Sequence, residues 1–207
     1  MLGIHDYWLF VVSGVLLNLT PGQDTFYILG RSLAEGTRSG VASALGIAVG
    51  SLFHTAMAAF GLSAVLATSA SAFTTVKVAG AVYLFYLGVR MLIAVDTGEP
   101  RQFSGAGGLR SFRDGILTNV LNPKVALFFL ALMPQFIDPS SNAKIAGFVG
   151  LGLTFVATGT LWCLVLAVSA SKLRGFFAGH PRRWRVVSKA TGSLFILLGL
   201  RLAVSRQ

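Results

Sequence analysis

The sequence predicts an all-α integral membrane protein with six transmembrane helices, arranged as two inverted three-helix repeats. Three observations support this prediction: the composition, six long apolar segments and the similarity of the two halves of the chain. Of the 207 residues, 54% are hydrophobic and only 12% are charged. A soluble domain usually has about 25% charged residues. The composition therefore excludes a disordered chain, a secreted disulfide scaffold and most water-soluble enzymes.

Six segments are long and apolar enough to cross the roughly 30 Å hydrocarbon core of a bilayer, which takes about 20 helical residues. We predict spans over residues 7–30, 41–67, 72–94, 113–137, 144–170 and 186–204. Prolines interrupt the first and the fourth of these spans. We therefore expect helices 1 and 4 to be broken at Pro21 and Pro123.

The Lys and Arg residues predict the orientation of the spans, because short basic connections stay in the cytoplasm. Twelve of the 17 basic residues follow spans one, three or five, namely Arg31, Arg38, Arg90, Arg101, Arg110, Arg113, Lys172, Arg174, Arg182, Arg183, Arg185 and Lys189. Both termini are therefore expected outside the cytoplasm. The formal net charge of +10 is explained by this topology and by contact with anionic membrane lipids, and we expect no nucleic-acid binding.

The two halves of the chain resemble each other in the order of their distinctive residues. The segments 14–18 and 115–119 both begin with Gly and end with Asn, and a proline follows each within four residues. Near the ends of the halves, Lys, Gly and Arg recur in the same order, at Lys77, Gly80 and Arg90 and at Lys189, Gly192 and Arg201. We predict a first repeat over residues 1–96, a cytoplasmic linker over 97–110 and a second repeat over 111–207, all within one membrane domain.

A three-span unit that is repeated once must insert its second copy upside down. Inverted repeats with broken helices in corresponding positions are typical of secondary transporters, which bind substrate where the broken helices meet. The sequence therefore predicts a substrate site between the two proline breaks.

Each break has the sequence of a new helix start. Thr20 before Pro21, and Asn122 before Pro123, are N-cap residues followed by a proline at the first helical position. Two helix N-termini would then open inside the membrane, where their free N–H groups and positive dipole ends favour a carboxylate. The alternative is a pair of proline kinks whose freed backbone groups are satisfied by neighbouring helices.

Asp24 and Lys124 closely follow the two breaks at membrane depth, where ionisable side chains are costly and usually functional. A cation is unfavourable at a helix N-terminus, so Lys124 needs an anionic partner: Asp24, a substrate carboxylate or each in turn. The two charges together fit a zwitterion such as an amino acid, and a permanent ion pair is the structural alternative. The candidate substrate-binding residues are Asn18, Thr20, Pro21, Gly22, Asp24, Asn119, Asn122, Pro123 and Lys124.

His54 shares a helix face with Gly46 and Gly50, because steps of four residues return to the same side of a helix. Glycine pairs let helices pack closely, so this face is expected to point into the bundle. His54 is then either a hydrogen-bonded packing residue or, like Asp24, a candidate for proton coupling. Gly80 and Gly88 are also interpreted as helix packing. In the fifth span, Thr154, Thr158 and Trp162 form a similar face, for which we favour helix packing over the alternative of substrate contact.

The sequence around these breaks resembles the LysE/RhtB family of bacterial amino-acid exporters. The most specific similarities are Leu19-Thr-Pro-Gly22, Asn122-Pro-Lys-Val-Ala-Leu-Phe-Phe129 and Met133-Pro-Gln-Phe-Ile-Asp138. The resemblance implies a six-span bacterial inner-membrane exporter of amino acids or their derivatives, driven by the proton motive force, with both termini periplasmic. Two positions depart from the family pattern: Gln23 stands in place of a proline, and Ser51 in place of an aspartate found in many members.

The expected mechanism is alternating access about the two breaks, with proton antiport through Asp24 or His54. The alternative function is efflux of a divalent cation or another small solute by the same fold, for which these two side chains are a small ligand set. We expect no enzyme activity, no cofactor and no resident metal. The expected partners are a zwitterionic amino acid, protons and membrane lipids, and a homo-oligomer is left open.

Overall fold

The computed structural model describes residues 2–62 and 107–178, with side chains as far as residues 61 and 170, together with isolated helical positions between 78 and 93 and between 189 and 200. Apart from these isolated positions, the predicted spans 72–94 and 186–204 lie outside the described residues, and so do the packing glycines Gly80 and Gly88. Within the described part every regular element is helical, which confirms the all-α class. The inverted arrangement of two repeats and the division of the chain at residues 97–110 stay predictions.

The described part contains six α-helices. Helix α1 spans Tyr7–Leu19, α2 Gln23–Glu35, α3 Thr37–Ala56, α4 Gly107–Val120, α5 Pro123–Leu127 and α6 Lys144–Ala178. Helix α3 continues as a π-helical segment over Met57–Leu62, and α5 continues as a π-helical segment over Phe128–Leu132 and a 3-10 turn over Met133–Phe136. An isolated antiparallel bridge joins Ile4 to Ile137.

Two described helices are long and apolar enough to cross a membrane, over Thr37–Gly61 and Lys144–Ala170. The pair Gly107–Val120 and Pro123–Phe136 is a third candidate, with a bend of 46° at the break. The first helix of this pair begins at Gly107, six residues before the predicted span. The last residues of the expected linker are therefore helical. Helix α1 is apolar but shorter, with 13 residues.

Glycines bring α3 and α4 into backbone contact. A Cβ atom on Gly50 would lie 2.7 Å from Cβ of Asn119, and one on Gly115 would lie 2.6 Å from the carbonyl oxygen of Ser43. A Cβ atom on Gly46 would collide with the carbonyl oxygen of Phe112. The glycine face of α3 is therefore packed on α4, as small residues permit between membrane helices.

Buried apolar side chains form two clusters along α6. In the first, the rings of Phe128, Phe129 and Phe155 lie 4.8 to 6.1 Å from one another. The second comes from α2, α3 and a later part of α6, and comprises Tyr27, Ile28, Ala44, Ile47, Cys163, Leu166 and Ala167. The part of α6 between Phe155 and Cys163 runs from one cluster to the other. Polar side chains line the interior beside this part of the helix.

Candidate functional site

A cavity lies between the two apolar clusters, with about 460 Å³ of free space including its open mouth. Apolar side chains such as Leu17, Ile47 and Phe155 form part of its wall. The polar residues that line it are Asn18, Asp24, Thr25, Ser51, Asn119, Lys124, Thr160 and Trp162. The cavity thus brings together Asn18, Asp24, Asn119 and Lys124 from the predicted set.

At the first break, α1 ends at Leu19 and α2 begins at Gln23. The prediction that Thr20 caps a helix starting at Pro21 is wrong. Gly22 is the N-cap and provides no side-chain bond, whereas the Thr20 hydroxyl donates back to the carbonyl oxygen of Leu16, 2.7 Å away. The physical reason is that a threonine hydroxyl also bonds the carbonyl four residues earlier, so Thr20 closes the preceding helix.

Lys124 provides the hydrogen bonds that the first break lacks. Pro21 has no N–H group, so the carbonyl of Leu17, four residues earlier, loses its helical donor. The Lys124 Nζ atom donates to the carbonyl oxygens of Leu17, at 3.2 Å, and Thr20, at 2.9 Å. These carbonyls lie at the negative dipole end of α1, where a cation is favourable. The structure thus gives Lys124 the end of α1 as a hydrogen-bond partner, and an anionic partner in Asp24, in a substrate carboxylate or in each in turn stays a prediction.

At the second break, the predicted cap is confirmed. The Asn122 side chain accepts a hydrogen bond of 3.0 Å from the backbone N–H of Lys124, and Pro123 is the first residue of α5. Pro123 leaves the carbonyl of Asn119 without its helical donor. The Nε2 atom of His54 lies 3.1 Å from that oxygen and donates to it, because a carbonyl can only accept.

Asn119 connects Asp24 to α3. Its Nδ2 atom donates to Oδ2 of Asp24, 2.8 Å away, and its Oδ1 atom accepts from the hydroxyl of Ser51 at 3.2 Å. Its backbone oxygen is the partner of His54. Ser51 is thus joined to Asp24 through the Asn119 side chain.

Asp24 keeps one carboxylate oxygen for the cavity. Oδ1 of Asp24 is buried and accepts no hydrogen bond of normal geometry in the part of the chain that the structure describes; the Asn122 carboxamide, whose Nδ2 atom is likewise without a partner there, lies near this carboxyl group. Asp24 and Lys124 do not form an ion pair there, so a permanent pair between them is not what the structure contains. Residues 2–62 and 107–170 also contain no group of three or more His, Cys, Asp or Glu side chains placed to hold a metal ion.

Of three buried donors at the cavity, Asn18 is in the set predicted from the sequence, Thr160 is missed, and a packing role is favoured for Trp162. Asn18 Nδ2, Thr160 Oγ1 and Trp162 Nε1 are buried without a hydrogen-bond partner among the described residues. Trp162 does pack against the second apolar cluster, as expected, but it also lines the cavity. No local sequence signal marks the Thr160 hydroxyl or the Trp162 N–H group as a cavity donor. Gly159 beside Thr160 packs on Asn18, since a Cβ atom there would lie 3.2 Å from Nδ2 of Asn18.

A cluster of ionic side chains ties α2 to α4 beyond the second apolar cluster. Arg31 pairs with Glu35 on its own helix, and its Nη2 atom lies 2.8 Å from Oδ2 of Asp114 on α4. The Tyr27 hydroxyl donates to the carbonyl oxygen of Ser111 at 2.8 Å. Burial disfavours the charged form of Glu35, but the bond and charge of Arg31 outweigh this, so the pKa of Glu35 lies below its ordinary value.

The long apolar helices, the bend inside one of them and the charged cavity beside it define a helical membrane transport protein. The chain belongs to the LysE type translocator family, because the family model matches residues 15–206. This confirms the resemblance found in the sequence, and it indicates a transporter rather than an enzyme.

Relatives of similar length share most of the chain. The Homoserine/homoserine lactone efflux protein of Salmonella typhimurium is 33% identical over 97% of this chain and 98% of its own length. The Leucine efflux protein of Salmonella choleraesuis is 26% identical over 97% of this chain and 96% of its own. An uncharacterized membrane protein of Bacillus subtilis is 29% identical over 98% of this chain and all of its own. No solved structure matches the chain significantly.

Proposed function

We propose that this protein exports amino acids or close derivatives across the bacterial inner membrane, by proton-coupled alternating access. The observation that supports this most directly is Oδ1 of Asp24, a buried carboxylate oxygen without a partner among the described residues, in a cavity beside two helix breaks. A buried carboxylate with a free acceptor is suited to a substrate ammonium group.

The charges of the cavity suit a zwitterion. Asp24 and Lys124 both line it, so their formal charges cancel while they stay apart. A ligand with one ammonium and one carboxylate group can satisfy both without leaving a net buried charge. The Lys124 ammonium has three N–H donors and uses two of them on α1, so one is left for a ligand. The names of two relatives, which specify homoserine and leucine efflux, support the same substrate class.

Proton coupling follows from competition at Asp24. A proton and a substrate ammonium group would occupy the same carboxylate, so each excludes the other and the carrier exchanges them. His54 is the second candidate, because Asn119 joins it to Asp24. In this proposal a protonated Asp24 releases the substrate outside, and its deprotonation in the cytoplasm restores binding.

For alternating access, the two repeats would move about the breaks at Pro21 and Pro123. The Arg31 cluster between α2 and α4 would close the cytoplasmic side, and both termini would be periplasmic. The nine candidate residues predicted from the sequence form or support this site, with Asn122, Pro123, Thr20, Pro21 and Gly22 shaping the breaks.

The test is counterflow in proteoliposomes with a panel of labelled amino acids that includes L-homoserine and L-leucine. We expect counterflow of at least one of them, and Asp24→Asn should weaken it about 10- to 100-fold, the range for a lost charged hydrogen bond. Asp138→Asn is the matched control, because Asp138 is an exposed aspartate that does not line the cavity. Counterflow of no amino acid, or an Asp24→Asn variant as active as the control, would overturn the proposal.

Coupling is tested with the same proteoliposomes by imposing a pH gradient. An inward proton gradient should drive uphill transport of the amino acid in the opposite direction. Transport that is indifferent to both the pH gradient and the membrane potential would remove proton coupling from the proposal while leaving the exporter itself.

A further inference from the structure

We infer that Asn18, Thr160 and Trp162 form a second half of the substrate site, a set of neutral donors that binds the carboxyl end of the substrate opposite Asp24. The inference rests on the proposed function and adds residues that the family match and the named relatives do not assign. It also specifies the substrate class: compounds with a free primary ammonium group and a carboxyl oxygen, whether the carboxyl group is ionised or esterified.

The evidence is the convergence of unsatisfied polar atoms on one cavity. Nδ2 of Asn18, Oγ1 of Thr160, Nε1 of Trp162 and Oδ1 of Asp24 are all buried without a partner in the described part of the chain. All four residues line the same cavity. Buried polar groups in folded proteins are rarely left unpaired, so four at one cavity indicate a ligand that pairs with them.

The chemistry of the four atoms is asymmetric. When Asp24 is ionised, its Oδ1 atom can only accept a hydrogen bond. Asn18 Nδ2 and Trp162 Nε1 can only donate one, and the Thr160 hydroxyl can do either. An ammonium group at Asp24 would thus leave the donors for an oxygen acceptor. An amino acid has these two groups on the same carbon atom.

The packing of α1 on α6 brings the donors from two elements together. Gly159 precedes Thr160, and its missing side chain leaves room for the Asn18 carboxamide, whose Nδ2 atom would lie 3.2 Å from a Cβ atom there. The ligand would therefore bridge α1 and α2, which flank the first break, to α6 from the other half of the chain.

Lys124 does not replace these donors. Two of its N–H groups are committed to the carbonyl oxygens of Leu17 and Thr20. Lys124 therefore offers the carboxyl end only its one remaining N–H group, and the three neutral donors offer the rest. All of these donors can bind the carbonyl oxygen of an ester as well as a carboxylate oxygen. Loss of the carboxylate charge should therefore be tolerated better than loss of the ammonium charge.

The experiment measures competition with labelled L-homoserine in proteoliposomes that contain the whole protein. L-homoserine methyl ester should compete within about tenfold of L-homoserine itself, and N-acetyl-L-homoserine should not compete. Thr160→Val removes one donor with little change of shape, and Trp162→Phe removes the indole N–H group together with part of the ring. Each should weaken binding of both the amino acid and its ester about tenfold. Thr158→Val and Trp8→Phe are the matched controls: the Thr158 hydroxyl bonds backbone carbonyls of its own helix, and Trp8 is 76% exposed.

Thermal unfolding separates a binding role from a structural one. Because the Thr160 hydroxyl donates to nothing in the described part, Thr160→Val should unfold at the same temperature as the unmodified protein or higher. Trp162→Phe also loses ring packing against the second apolar cluster, so only its binding is compared with the controls. If both variants bind like the controls, or if Thr160→Val loses binding together with thermal stability, the inference is wrong while the Asp24→Asn result still stands. If the unmodified protein transports no amino acid, the proposed function fails first.

Discussion

Both helix breaks leave a backbone carbonyl without its helical donor, and a different side chain bonds that carbonyl at each break. At each break, proline removes the N–H group that would bond a carbonyl four residues earlier, at Leu17 in one case and Asn119 in the other. Each of these carbonyls accepts instead from the backbone N–H three residues later and from one side chain. That side chain is Lys124 at the first break and His54 at the second.

The difference between the breaks is in what caps the new helix. The second break is closed by its own residues, because Asn122 bonds the backbone of Lys124 and Pro123 starts α5. At the first break, the N-cap is a glycine without a side-chain bond, and Lys124 from the second break donates hydrogen bonds to the end of α1. The comparison teaches that the first break depends on the second, but the second does not depend on the first in the same way.

The largest effect is expected for Lys124→Met. The change removes two hydrogen bonds from a charged donor, each contributing about 1.5 to 3 kcal/mol, and leaves Asp24 without the nearby positive charge. We expect the free energy of unfolding to fall by about 3 kcal/mol, which corresponds to roughly 6 to 12 °C in a chain of this size. Thermal unfolding of the purified protein in detergent measures it.

Lys144→Met is the control for this change, because Lys144 lies at the start of α6 and does not line the cavity. Equal unfolding temperatures for the two variants would contradict the dependence of the first break on Lys124.

A smaller effect is expected for Gly50→Ala, which tests the support behind the second break. The new Cβ atom would lie 2.7 Å from Cβ of Asn119, so α3 and α4 must move apart and the bond from His54 to Asn119 must lengthen. Overpacking of this kind costs about 1 to 3 kcal/mol. Gly61→Ala is the matched control, since no atom lies within 4 Å of the position that its new Cβ would take. Similar thermal stability of both variants would show that the second break does not need this close approach.

Asn122→Ala should cost about 1 kcal/mol, the usual value for loss of an N-cap. The corresponding change at the first break, Thr20→Val, removes no N-cap of α2, so it should leave the start of α2 unchanged. Hydrogen exchange of the amides in the first turns of α2 and α5 distinguishes the two: only Asn122→Ala should accelerate exchange at its break. Faster amide exchange in the first turn of α2 in Thr20→Val would instead support the predicted role of Thr20 as a helix cap.

The smallest effect concerns the Arg31 cluster, which joins the helix after the first break to the helix before the second. The pKa of Glu35 in the folded protein lies below its unfolded value of about 4.5. Its charged form therefore stabilises the fold at pH values above about 4.5, and this stabilisation is lost as the pH falls through the folded pKa. The difference in unfolding free energy between the unmodified protein and Glu35→Gln should be constant above about pH 4.5 and should shrink below it. If the difference in unfolding free energy grew as the pH fell, the lowered pKa of Glu35 would be contradicted.

Much of the site can be predicted because it follows from local chemistry. The prolines, the charges at Asp24 and Lys124, and the cap at Asn122 are all visible in short stretches of sequence. The first break is less predictable, because Thr20 can bond either forward or backward and only its surroundings decide. The sequence favours packing over substrate contact for Trp162, because an aromatic residue in an apolar helix gives no sign of where its N–H group points.

The sequence by itself determined that the protein lies in a membrane, that it is helical, and where a helix cannot continue, because composition and proline act residue by residue. Only the tertiary structure decided which groups satisfy the interrupted helices. Lys124 is 107 residues from Leu17, and His54 is 65 from Asn119. Those partners are fixed by the close packing of α3 on α4 and by the way α5 meets the end of α1, which no local pattern specifies.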